Sequence, residues 1–184
     1  MANAADQLRA TLSQAFESMR WIVEGLTDDE YFNEPVTRCW SVRRRADAGP
    51  GWGTGDWICE DAWPQPDPLP VTTIAWRLVH TCAWTDVYRD WTFGDAKLRL
   101  ADIEVAGSAG DALDWLGDSQ EDFAAHVASL TDTELDDVRP AHWGALLPIG
   151  DLVGSIAVEH IHHGAEIGVL RDLYRGSARI QPLP

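Results

Sequence analysis

Residues 156–167, Ile-Ala-Val-Glu-His-Ile-His-His-Gly-Ala-Glu-Ile, place three histidines and two glutamates in a segment that otherwise reads as one buried helix, from about Ile149 to Arg175. Leu152, Ile156, Glu159, His163, Ile167 and Leu170 recur at the helical period, so a helix lays all six along one face. Such a stripe must be buried against other elements. An ionised carboxylate within it is expensive unless something positive meets it. A divalent metal is one way to meet it; a histidine–carboxylate network packed in the core is the other.

Three further segments share the helical period. Residues 4–25 carry Leu8, Leu12, Ala15, Phe16, Met19, Ile22 and Val23, with Gly25 as the stop. A second helix starts at Thr72 or Thr73, runs to about Phe93 and is ended by Gly94. Trp76, Val79, His80, Ala83, Trp84, Val87 and Trp91 share its broad apolar face. A third runs from Ser108 to about Leu130. Gly176 closes the fourth, and the residues to Pro184 read as a tail. Thr27-Asp28-Asp29-Glu30 and Thr131-Asp132-Thr133-Glu134 each carry the capping-box pattern and each follow a helix. Four long amphipathic helices without a convincing run of strands predict an all-α four-helix bundle, one domain over residues 1–184.

Residues 36–70 break this regularity. Gly49-Pro50-Gly51-Trp52-Gly53-Thr54-Gly55 and Pro64-Gln65-Pro66-Asp67-Pro68-Leu69-Pro70 predict a long irregular loop before helix two. A loop of this length in a compact domain is usually functional or disordered, and its tryptophans favour an ordered flap over a site. The Gly-rich piece lacks the Gly-Lys-Ser/Thr ending of a phosphate-binding loop. Arg43, Arg44 and Arg45 read as a solvated charge run or as a holder for an anionic group. Residues 95–106 and 140–148 read as connections.

A net charge of −16 makes nucleic acid and anionic membranes poor partners, since phosphates need Lys and Arg. No apolar stretch approaches the length of a membrane span, and the N-terminus lacks the pattern of a signal peptide. Cys39, Cys59 and Cys82 form no CxxC pattern; their low, odd number fits reduced thiols in a cytoplasm.

A metal site in a bundle draws ligands from facing helices. Glu159 and His163, one helical turn apart, supply two corners, and His80 is the candidate third. Two imidazoles and one carboxylate with open positions are a catalytic type of zinc site. His160 and His162 offer rival sets from the same helix; Glu166 lies one turn beyond His163.

These residues carry a resemblance. Residues 72–80, Thr-Thr-Ile-Ala-Trp-Arg-Leu-Val-His, and 158–167, Val-Glu-His-Ile-His-His-Gly-Ala-Glu-Ile, resemble the second and fourth helices of the DinB/YfiT-like superfamily of metal-binding four-helix bundles. That group includes mycothiol-dependent maleylpyruvate isomerase and thiol S-transferases using mycothiol or bacillithiol. The resemblance implies His80, Glu159 and His163 as ligands of a divalent metal, zinc foremost, with nickel and iron as alternatives. It implies transfer of a low-molecular-weight thiol to an electrophilic small molecule. Glu166 and His162 would move the proton, and Arg43, Trp40 and Trp84 would bind the cosubstrate or substrate. Alternatives are a non-catalytic binding protein and a thiol-independent hydrolase or isomerase. The expected partner is a small molecule, with a homodimer as a candidate assembly. Two departures stand out. Trp40-Ser41-Val42-Arg43 is separated from helix two by the Gly/Pro/Trp-rich stretch, and the sequence stops soon after helix four. The second makes the maleylpyruvate reaction itself unexpected.

Overall fold

The computed structural model describes residues 3–177. Four long helices dominate it: α1 (Ala4–Val23), α3 (Ile74–Phe93), α4 (Ala109–Val127) and α6 (Ile149–Ser177). α1 packs against α6 and α4, and α3 packs against the same two. Two single-turn helices, α2 (Asp28–Tyr31) and α5 (Asp132–Leu135), follow α1 and α4. Gly176 lies inside α6 instead of ending it. The tail read beyond residue 177 lies outside the described residues.

The helix starts are set locally. Asn3, Thr27, Thr73, Ser108 and Thr131 each accept an N–H from the first turn of the helix they precede. At Thr131 the reciprocal bond from Glu134 completes a capping box. At Thr27 it does not form, because tertiary structure takes Glu30 away. Glu30 is 4% exposed and lies 2.9 Å from Arg171 Nη2 and 2.7 Å from Arg175 Nε. Arg171 also donates to the carbonyls of Ile22 and Glu24. The end of α6 is thereby clamped to the corner between α1 and α2.

The all-α expectation is corrected by two small sheets. The stretch expected to be irregular folds into β1 (Val42–Arg44), β2 (Gly51–Trp52) and β3 (Trp57–Glu60), antiparallel in the order β1-β3-β2. Gly53 and Gly55 turn the chain with φ of 124° and 71°, values that need glycine. Residues 140–148 are also more than a linker: β4 (Val138–Pro140) and β5 (Leu146–Pro148) pair as a hairpin. The connection before α4 buries Ile103, Val105 and Ala106, and Thr54 N donates to the Ile103 carbonyl.

The excursion from 42 to 71 returns to its starting point. Trp40 N donates to the Val71 carbonyl, Thr73 N donates to the Trp40 carbonyl, and Ser41 Oγ lies 2.9 Å from Thr73 Oγ1. Trp40-Ser41 therefore abuts the start of α3 in space despite the intervening residues. The arginine triplet builds this excursion. Arg43 pairs with Glu34 and Glu60, Arg44 lies over the Trp57 ring, and Arg45 donates to the carbonyls of Gly53 and Gly55. No helix among the described residues is long and apolar enough to cross a membrane.

Candidate metal centre

α6 carries Glu159, His163 and Glu166 toward α3, which presents His80 and Arg77. Ile156 and Ile167 on α6, and Val79 and Ala83 on α3, are fully buried, which anchors both helices by their apolar faces. Each such side chain contributes roughly 1.5–3 kcal/mol of burial if large. The polar residues are held between these anchors.

His163 Nε2 lies 3.0 Å from Glu159 Oε2, and His80 Nε2 lies 3.8 Å from the same oxygen. His163 Nδ1 lies 2.7 Å from Glu166 Oε2. An ionised carboxylate only accepts, so that short contact assigns a proton to Nδ1. Neutral His163 then turns a bare Nε2 toward Glu159. Two acceptors 3.0 Å apart need a cation between them, either a proton or a metal ion. Without metal, His163 and then His80 hydrogen-bond to Glu159 and hold its carboxyl well below the usual carboxylate range, against the opposing effect of burial. Burial pushes His80 down, although Glu159 pulls it the other way. A depressed imidazole is neutral near pH 7, the form that binds metal.

The donor set fits a small divalent ion. The atoms offered by His80, Glu159 and His163 all lie within 4.8 Å of one another. A tetrahedral ion with bonds of about 2.0–2.1 Å separates its ligand atoms by roughly 3.3–3.4 Å. The observed 3.0 and 3.8 Å bracket that value. His162, His163 and Glu166 form a second convergent group, but Arg77 Nη1 lies 2.9 Å from Glu166 Oε2 and already supplies positive charge there.

A family model described as the DinB superfamily matches residues 11–167. The chain belongs to the DinB superfamily. A crystal structure of a conserved protein from Enterococcus faecalis has a similar fold, with a TM-score of 0.59 at 14% identity, covering 96% of this chain and 99% of that one. No curated protein matches the chain significantly.

Around the DinB cluster stands a wall of rings. Trp76 stacks on His80 at 4.5 Å between centroids, and Trp40 stacks on Trp76 at 6.3 Å. Trp76 Nε1 donates to the Glu60 carbonyl at 2.6 Å, so β3 fixes the ring that backs the histidine. Trp84 meets His80 edge-on at 6.0 Å. On its other side Trp84 meets His142, from the β4–β5 hairpin, at 4.3 Å. Tyr88 lies within 6.0 Å of His142; burial raises its phenol and the charge of Glu159 adds to the effect.

The sequence-derived candidates therefore separate. His80, Glu159 and His163 come together. Glu166 joins them as the carboxylate that orients His163, an arrangement common around metal-bound histidines. His162 is 59% exposed, with Nε2 3.3 Å from Glu166 Oε1. Trp40 and Trp84 flank the cluster through ring contacts. Arg43 contacts Glu34, Glu60 and the Cys39 carbonyl, none of them members of the cluster. Trp52 is buried in the core, Trp57 stacks on Phe32, and Trp63 is 90% exposed, whereas the tryptophans that meet His80 are Trp76 and Trp84. His160 is a core residue: Nδ1 donates to the Ile156 carbonyl and the ring packs on Phe16 at 4.5 Å.

Arg77, Tyr88 and His142 escaped the sequence reading. Arg77 had a usable signal, a guanidinium about one turn before His80 in the apolar first half of the helix. His142 had none, because only the hairpin pairing brings it to Trp84.

Proposed function

We propose that this protein is a metal-dependent enzyme built on a four-helix bundle, with a divalent ion, zinc foremost, held by His80, Glu159 and His163. It transfers a low-molecular-weight thiol to an electrophilic small molecule. The observation carrying this reading is the convergence of two imidazole nitrogens on one carboxylate oxygen at 3.0 and 3.8 Å. An ion there supplies Lewis acidity, which lowers the pKa of a thiol or water reaching it. Glu166 keeps the Nδ1 proton of His163 in place. His162, exposed and 3.3 Å from Glu166, can pass a proton between the network and solvent. In the reaction the S–H bond breaks and its proton leaves through that network. The sulfur lone pair forms a bond to the electrophilic carbon, whose leaving group or π bond takes the displaced pair.

The thiol must come from outside the chain. Cys39, Cys59 and Cys82 are free and buried, and burial pushes the Cys59 and Cys82 thiols up, away from the reactive thiolate. Buried free thiols also suit a reducing cytoplasm. The strongly acidic charge favours a small-molecule partner over nucleic acid.

The test is metal analysis of protein purified without chelator, alongside His80→Ala and Glu159→Gln. The expected result is near-stoichiometric metal that both variants lose. Near-zero metal in the unsubstituted protein overturns the reading. Full metal with no thiol consumed across a panel of electrophiles favours a binding role without turnover.

A further inference from the structure

Arg77 is the cation nearest the cluster, and only part of it is used. Its Nη1 faces Glu166 Oε2 at 2.9 Å and lies 3.3 Å from His163 Nδ1. Since Nδ1 carries a proton for Glu166, the Arg77 charge is directed to the carboxylate. The Nε and Nη2 donors have no partner among the described residues. The guanidinium carbon sits 5.3 Å from the centre of the Trp76 ring, and 21% of the side chain is exposed. A guanidinium offers five N–H donors in a rigid fork suited to a carboxylate. Holding Glu166 engages Nη1 and leaves Nε and Nη2 unengaged. The ion pair with Glu166 accounts for Nη1, and with 21% of the side chain exposed the other donors remain within reach of a ligand.

The charge balance points to the ligand. With a divalent ion bound, the ion offsets Glu159 and Glu166, and the guanidinium remains as net positive charge. The chain as a whole carries −16, so this spot stands against an anion-repelling surface. Arg77 Nη1 is also only one imidazole ring away from Nε2 of His163. A short carbon linker spans that width.

We propose that Arg77 is the specificity residue of this site and binds a carboxylate carried by the thiol cosubstrate, so that the preferred thiols are short mercapto-acids. This rests on the metal-centre reading and adds the substrate class to it.

The experiment loads the full chain with cobalt(II) and titrates it with 3-mercaptopropionate and with its near-isosteric neutral counterpart, 3-mercaptopropionamide. Binding is read from the thiolate-to-cobalt absorption, not from turnover. The acid should bind roughly 10–100-fold more tightly than the amide, the range expected of a charge-assisted pair. Arg77→Gln should erase that preference while leaving amide binding within about threefold. Arg77→Lys, which keeps the charge but not the fork, should retain part of it. Equal binding of the two thiols to the unsubstituted protein overturns the proposal. So does an Arg77→Gln variant that weakens both thiols alike, since that is the mark of a residue that only holds Glu166. Failure to take up cobalt overturns the metal-centre reading itself, and this inference with it.

Discussion

Glu30→Gln offers a direct test of what holds α6, and with it Glu159 and His163, in place. Glu30 is 4% exposed and lies between Arg171, itself 4% exposed, and Arg175. The amide keeps the shape, removes the charge and turns an N–H toward a guanidinium. Breaking a buried ion pair from one side costs about 3–5 kcal/mol, because the remaining charge stays buried without compensation. The lower end applies here, since Arg171 still has the Ile22 and Glu24 carbonyls and Arg175 is half-exposed. A loss of about 3 kcal/mol is a large share of a typical stability of about 5–15 kcal/mol. At about 2–4 °C per kcal/mol for a chain of this size, Tm falls by roughly 6–12 °C. The assay is urea unfolding followed by far-ultraviolet circular dichroism, repeated at several pH values. Burial raises the Glu30 pKa, but the hydrogen bonds from Arg171 and Arg175 outweigh it and leave the pKa lowered. A group with a lowered folded pKa stabilises the fold above its unfolded pKa, and that contribution is lost as pH falls through the folded value. The penalty of Glu30→Gln is therefore full above about pH 4.5, the ordinary glutamate value, and shrinks below it. A penalty under about 1 kcal/mol near neutrality, or one that does not shrink toward acid, refutes this account of the clamp.

Two further substitutions address the site and its surroundings. Glu166→Gln should leave the fold intact and weaken metal binding about 10–100-fold, because His163 loses the carboxylate that sets its tautomer; competition with a chelator measures it, and unchanged affinity would remove Glu166 from that role. His160 is buried and its pKa is pushed down to about 4, so the folded protein resists a proton that the unfolded chain accepts near 6.5. The unsubstituted protein should lose roughly 3 kcal/mol more than His160→Leu between about pH 6.5 and pH 4, and parallel pH–stability curves for the two would disprove that.

The helices were legible because their determinants are local. Apolar spacing marks the buried faces, and Thr27, Thr73, Ser108 and Thr131 accept hydrogen bonds from the turns they precede. The same periodicity put Glu159 and His163 on one face and sent His160 and His162 to others, as the buried His160 and exposed His162 show. The strands were hidden for the opposite reason. β1, β2 and β3 span two to four residues each among glycines and prolines, too short to show an alternating pattern. They exist because Arg43, Arg45 and Glu60 bond across the sheet and because Trp40 and Ser41 close the excursion against α3.

By itself, then, the sequence determined four long helices, an acidic composition and a histidine–carboxylate face on the last helix, all properties of residues within a few turns of one another. Tertiary structure alone decided which charges meet. It drew Glu30 out of a capping box into a clamp on α6, spent the arginine triplet on a small sheet, and set Arg77 beside Glu166 and His163. Ion pairing and ring stacking depend on which elements pack together, and no local pattern records the distance from residue 77 to residue 163.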